Sequence, residues 1–197
     1  MIEETSQPCR MESVKNRNEK IILDVCHNID GFQAVIAQIK NAYPQLESIK
    51  IVLGMSKSKK MDSLVEFFEN ERLISDIYLI SRPHMRLFKV EEAYKLINEK
   101  GCSKVRELIL EEHDTTTQSQ SEENSESALS SSNHFNDPTF QNNIVKTLDY
   151  LLSEFKESLG ERNHDGSHKQ IVLVCGSFFI MSDVRQYFGF VEEIDSI

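Results

Sequence analysis

Three short stretches of this chain carry side chains whose types and spacing could do chemistry. Asp24-Val25-Cys26-His27-Asn28 gathers a carboxylate, an imidazole and a carboxamide just after an apolar run. There the Asp24 carboxylate could accept from a ribose or from the water of a cation, or it could cap the helix that follows, although Asn28 is better placed for capping. His27 stands near a helix start, where it could donate to a phosphate or a carboxylate, or simply be solvated. Gly176-Ser177-Phe178 offers a hydroxyl at the start of another helix, where it and the nearby amides could hold a carboxylate or form an N-cap. Gly54-Met55-Ser56-Lys57-Ser58-Lys59-Lys60 brings the chain's only basic cluster, which equally reads as a solvated turn. There is no GxxxxGK[ST] or GxGxxG loop, no GxSxG elbow and no HExxH pair, so the usual cradle for a triphosphate is absent.

Residues so far apart in sequence act together only if a scaffold brings their loops to one edge. The pattern predicts such a scaffold. Residues 20–24 are strand-like, and Ile29–Tyr43 has helical spacing at Phe32, Val35, Ile36 and Ile39, closed by Pro44. A strand follows at 49–53, a helix at 61–68, a strand at 76–80, a helix at 90–100 and a strand at 105–110. One long helix at 140–159, a strand at 170–175 and a helix capped by Ser177 complete the series. Strands that read as continuous apolar runs and alternate with helices pair in parallel through right-handed crossovers. The fold expected is a three-layer α/β domain with a Rossmann-like, mostly parallel sheet. In such sheets ligands bind beyond the carboxyl ends of the strands, which is where all three loops fall.

Composition narrows the classes. The chain has 197 residues and 22.7 kDa, 39% hydrophobic and 27% charged, enough apolar material for one packed domain. Its 32 acidic and 22 basic residues leave a net charge of -10, which argues against a nucleic-acid partner. No run approaches the ~20 apolar residues of a membrane helix, and the N-terminus lacks the apolar core of a secretory signal. Cys9, Cys26, Cys102 and Cys175 form no CxxC pair and are expected as free buried thiols, so the expected compartment is reducing. Residues 1–19 are polar and read as an interdomain linker or tail. Residues 113–138, rich in Ser, Glu, Asn and Thr and without Lys or Arg, read as a disordered insertion within the domain at 20–197.

Taken together, the loops resemble a known family. Asp24-Val25-Cys26-His27-Asn28 resembles the D-G-A-H-N motif in the C-terminal domain of folylpolyglutamate synthase and dihydrofolate synthase, of the Mur ligase superfamily. Pro8-Cys9-Arg10-Met11-Glu12 is similar to the P-G-R-x-E segment that precedes it. Ile51–Met55 with Lys59-Lys60-Met61 resembles the second strand and its D-K-D loop, and Ser81–Arg86 an H-P-R-A-like stretch. Gly176-Ser177-Phe178 with Asp183-Val184-Arg185 is similar to the closing G-S…V-R motif. Val25, Cys26, Cys9, Ile29 and Ser58 depart from the pattern, and the family's N-terminal ATPase domain has no counterpart in these residues.

The resemblance implies an ATP-dependent acid–amino-acid ligase that adds L-glutamate to folate or dihydropteroate through an acyl phosphate. This chain would be its C-terminal domain, a lid inactive without the ATPase domain, joined in cis or in trans, which holds most of the ATP and Mg2+. Arg10 would neutralise charge on the transferring phosphoryl group. Asp24 would contact the nucleotide, with Asn28 orienting the loop there. His27 and Ser177 would hold the glutamate or stabilise the acyl phosphate, and Arg86 and Lys59 are further candidates. A monomer in the cytoplasm is expected, with a mitochondrial isoform as the alternative. Two other readings remain: a stand-alone interaction or regulatory module that kept the fold, and a cell-wall ligase fragment of the same superfamily.

Overall fold

The computed structural model describes residues 7–14, 18–57, 61–106 and 138–190, with side chains of the last segment from residue 143 onward. The described residues form a six-stranded sheet flanked by helices. The strands are β1 (Glu12–Ser13), β2 (Ile21–Asp24), β3 (Ser48–Gly54), β4 (Ile74–Ile80), β5 (Val105–Arg106) and β6 (Gln170–Gly176), in the order β1-β2-β6-β3-β4-β5. β1 runs antiparallel to β2, and every other pair is parallel. The helices are α1 (Ile29–Ala42), α2 (Met61–Asn70), α3 (Val90–Glu99), α4 (Pro138–Glu154), α5 (Lys156–Gly160) and α6 (Phe178–Tyr187). The mostly parallel α/β architecture matches the sequence reading.

Alternation along the strands sorts side chains into two cores. Ile49, Ile51 and Leu53 join Phe32, Ile36 and Ile39 of α1, Leu64 and Phe68 of α2 and Ile97 of α3 on one face. Val52, Val172 and Val174 join Ile144, Leu148 and Leu151 of α4 and Ile180 and Val184 of α6 on the other. The chain therefore steps from β2 through β5 with helices on one face, then returns to insert β6 between β2 and β3 with helices on the other. Loops leaving β6 and its two neighbours diverge to opposite faces, which opens the crevice where such sheets bind ligands.

Two differences from the sequence reading stand out. Residues 7–14 of the stretch expected as a linker are part of the domain: Cys9, Met11 and Val14 are buried, and β1 pairs with β2 at Glu12↔Leu23 and Ser13↔Ile22. A strand of two residues, both polar, has no periodicity to betray it. The single helix expected at 140–159 is two, parted at Phe155. The Phe155 ring lies 6.3 Å from Tyr78 and 6.4 Å from Tyr150, with the Lys50 ammonium 4.0 Å from its centre. The Phe155 backbone departs from helical angles (φ -105°, ψ 14°) where its ring meets β3 and β4, contacts that local spacing cannot encode. The strand expected at 105–110 is seen at Val105–Arg106. Its remainder, the 113–137 part of the insertion, and Ser58, Lys59 and Lys60 lie outside the described residues.

Candidate functional site

The β2 loop is built around a buried carboxylate. Asp24 is 3% exposed, and each oxygen accepts a backbone amide: Oδ1 from Cys26 at 2.8 Å, Oδ2 from Met11 at 2.9 Å. Asp24 therefore folds its own loop and also fastens a segment thirteen residues upstream. Val25 and Cys26, the bulky departures from the family motif, turn into the two cores, one each. His27 and Asn28 stay exposed. The His27 Nδ1 lies 3.0 Å from the Val25 carbonyl. A carbonyl can only accept, so Nδ1 carries the hydrogen, and Nε2 is left to accept when the ring is neutral or to donate when it is charged. Asn28 is the N-cap of α1, its Oδ1 accepting the Gly31 amide at 2.8 Å. A Cβ on Gly31 would come within 3.1 Å of that oxygen and 3.2 Å of the Cys26 Cβ, so the cap and the bulkier loop both press on this glycine.

Upstream, Cys9, Arg10 and Met11 form a tight turn. Cys9 (φ 55°) and Met11 (φ 50°), on either side of Arg10, are the two non-glycine residues with left-handed backbones among the described residues. The Cys9 carbonyl accepts the Val25 amide at 3.0 Å, and its amide donates to Glu12 Oε2 at 2.8 Å. The Glu12 carboxylate in turn pairs with the Arg185 guanidinium on α6. Burial, and then the Glu12 carboxylate, push the Cys9 thiol up to about 11. Arg10 itself is exposed. With Asp24, Cys26, His27, Asn28 and Gly31 it lines a cleft of about 450 Å³ along α1.

The β6 loop lies next door, but its hydroxyl is not in this cleft. Asp24 pairs with Cys175 and Gly54 with Gly176, so the ends of β2, β6 and β3 stand side by side. Gly176 has φ 113°, and a Cβ there would lie 2.1 Å from the Gly54 carbonyl oxygen. Ser177 is 3% exposed; its amide donates to that same carbonyl at 2.8 Å, and its Oγ caps α6 by accepting the Phe179 amide at 3.4 Å. The structure thus brings Arg10, Asp24, His27 and Asn28 together and sets Ser177 on the neighbouring strand end.

The sequence reading named Ser81–Arg86 and Asp183–Arg185 separately, and the structure joins them in a cluster between the β4 loop and α6. Arg82 pairs with Asp183 at 3.1 Å and donates to the Phe179 carbonyl at 3.3 Å. The His84 ring stacks on Phe179 at 3.8 Å, with Arg86 6.0 Å from that ring. Burial, only partly offset by Arg82, holds the Asp183 carboxyl above its ordinary range. Met85 and Phe178 stand 87% and 75% exposed at the same edge. All four cysteines are free and buried. Among the described residues no group of three or more His, Cys, Asp or Glu side chains could hold a metal ion, and no helix is long and apolar enough to cross a membrane.

The family model of the Mur ligase, glutamate ligase domain, matches residues 9–137, a span that holds Arg10, Asp24, His27 and Asn28. The chain belongs to this family. The glutamate ligase domain also resembles solved structures in fold. A Mycobacterium tuberculosis folylpolyglutamate synthase complexed with ADP and AMPPCP superposes with a TM-score of 0.63 at 15% identity, over 96% of this chain and 34% of that one. A bifunctional folylpolyglutamate synthase/dihydrofolate synthase with Mn, AMPPNP and L-glutamate bound gives 0.53 at 16%, over 94% and 32%. A pseudomurein peptide ligase type C from Methanothermus fervidus gives 0.53 at 14%, over 94% and 29%. The chain spans about a third of the length of these structures. Comparison with the curated proteins finds no match.

Proposed function

We propose that this glutamate ligase domain is the lid of an ATP-dependent ligase that joins L-glutamate to folate or dihydropteroate, working against an ATP-binding domain supplied in cis or in trans. The observation that carries the reading is the convergence of Arg10, His27 and Asn28 on one cleft beside the β6 switch point. The ligands named for the related synthases, AMPPNP, Mn and L-glutamate, supply the substrate class.

In this scheme ATP and Mg2+ sit mainly on the partner domain, and ATP activates the folate carboxylate as an acyl phosphate. Arg10, exposed on a fixed turn, offsets the negative charge of the transferring phosphoryl group. His27 Nε2 faces the incoming glutamate, as hydrogen-bond donor to its carboxylate when the ring is charged. Asp24 spends both oxygens on backbone amides, so we assign it to positioning the Arg10 and His27 loops in place of direct ribose contact. Asn28 sets the direction of α1, and Ser177 orders the first amides of α6, which lie toward an anion at that edge. Closing the lid orients the reactants and keeps water from the acyl phosphate. The inward packing of Val25 and Cys26 favours this over a non-catalytic module, because their bulk enters the cores and not the cleft alone.

The test is glutamate-dependent release of phosphate and formation of the amide with the ATP-binding domain present. Arg10→Ala and His27→Ala should each lower turnover by about 10²-fold or more while the fold survives. No glutamate-dependent turnover in the parent would overturn the ligase reading, and unchanged turnover in both variants would overturn the assignment of the site.

A further inference from the structure

We infer that the Glu12–Arg185 ion pair is a positioning device that locks the Arg10 turn to α6, so that Arg10 and the Ser177 loop are presented as one unit. Its bearing on catalysis rests on the ligase reading above. The pair joins residues 173 positions apart and has little exposure, 17% for Glu12 and 12% for Arg185. Glu12 uses the same carboxylate twice, pairing with Arg185 and accepting the Cys9 amide at 2.8 Å. Arg185 is further held with its guanidinium carbon 4.6 Å from the centre of the Phe190 ring. One carboxylate therefore connects the helix that Ser177 opens to the turn that Arg10 occupies.

The turn needs such a lock. Left-handed backbones on both sides of Arg10 persist only where the surroundings over-determine them. Asp24 holds Met11, and Val25 holds the Cys9 carbonyl, but both of these clamps belong to the β2 loop. Glu12 is the charged clamp that reaches α6, where Arg185 also bonds the Cys9 thiol and Cys9 packs in one core with Met181 and Val184. A half-buried ion pair contributes little net stability over apolar residues of the same size, whereas its directional bonds define one geometry. Charge at this place is therefore better explained by orientation than by cohesion.

Amide hydrogen exchange on the 197-residue chain tests the lock. In Glu12→Gln and in Arg185→Gln, the amides of Cys9, Met11 and Val25 should exchange about tenfold faster or more, with β3 and β4 unchanged. The double variant should be no faster than either single one, Arg185→Lys should fall between, and tryptic cleavage after Arg10 should quicken in step. Should Arg185→Gln lose protection throughout the sheet, Glu12→Gln and Arg185→Lys decide by the same criteria. Unchanged exchange and cleavage at the turn, or additive effects in the double variant, would overturn the lock. With the ATP-binding domain present, Glu12→Gln and Arg185→Gln should lower kcat about tenfold and leave KM for glutamate within about twofold. Normal turnover in these two, with Arg10→Ala inactive, would remove the positioning role and leave the ligase reading standing. Absence of glutamate-dependent turnover in the parent would remove the ligase reading, and the exchange result alone would then judge the lock.

Discussion

Asp24 Oδ2 accepts the Met11 amide at 2.9 Å, tying the end of β2 to a turn thirteen residues earlier. The same carboxylate, 3% exposed, also accepts the Cys26 amide at 2.8 Å. In Asp24→Asn one of these positions becomes an amide nitrogen facing an N–H. A buried donor is then left unsatisfied, at about 1–3 kcal/mol. Urea unfolding should show that loss with an unchanged slope, and exchange should quicken at Met11 and Cys26. A variant as stable as the parent would mean that water or a neighbour takes over the amide left without an acceptor.

Gly176→Ala should be among the most damaging small substitutions. The added carbon would meet the Gly54 oxygen at 2.1 Å, and the backbone is at φ 113°. Strain and clash together should cost about 3 kcal/mol or more, because the neighbour is backbone and cannot turn aside. Thermal unfolding measures this. Gly160→Ala, where nothing lies within 4 Å of the new carbon, serves as the matched control.

Phe32→Ala tests the larger core. Phe32 is fully buried, and its ring meets Phe68 edge-on at 4.9 Å. Removing it should cost about 3–5 kcal/mol by denaturant unfolding, from lost burial and the cavity left behind.

Cys9 makes the protein sensitive to alkali. Burial first, and then the Glu12 carboxylate, raise its thiol from 9.0 to about 11 in the folded state. A raised folded value contributes stability that is fully present below pH 9.0 and is lost as pH rises through about 11. The stability gap between the parent and Cys9→Ala should therefore shift against the parent over that window. Alkylation of Cys9 at pH 8.5 should be far slower in the folded protein than in denaturant. Equal rates in the two states would contradict the burial.

Asp76 provides the acid limb. Burial alone would raise its carboxyl, but hydrogen bonds from Lys50 and Arg106 outweigh that and hold it below its ordinary 3.8. The stability this supplies is present above pH 3.8 and disappears as pH falls through the lower folded value. Asp76→Asn should flatten the acid side of the stability profile measured by thermal unfolding.

Much of the fold was legible because it rests on local, repeating signals. The apolar stripe Phe32-Val35-Ile36-Ile39 marks α1, Asn28 caps it, and the uninterrupted apolar runs mark strands buried on both faces. Ser177 as cap of α6 follows from the same local chemistry. The place of the three loops at one edge was also legible, because right-handed crossovers leave few ways to order parallel strands. The break at Phe155 was not, since it falls where the ring meets Tyr78 and Lys50 of distant strands. Nor was β1, whose two residues carry too little pattern to stand out.

What the sequence determined by itself, then, is most of the elements, the parallel pairing of the apolar strands and which residue types reach the carboxyl edge, because periodicity and caps act within a few residues. Only the tertiary structure decided what those residues do there. Folding turned the Asp24 carboxylate inward onto two backbone amides, buried Ser177 under its own cap, and joined Glu12 to Arg185 across the domain. The physical reason is that a hydrogen bond or ion pair is chosen by distance and direction in space. No spacing along the chain specifies which of several nearby donors a carboxylate will meet.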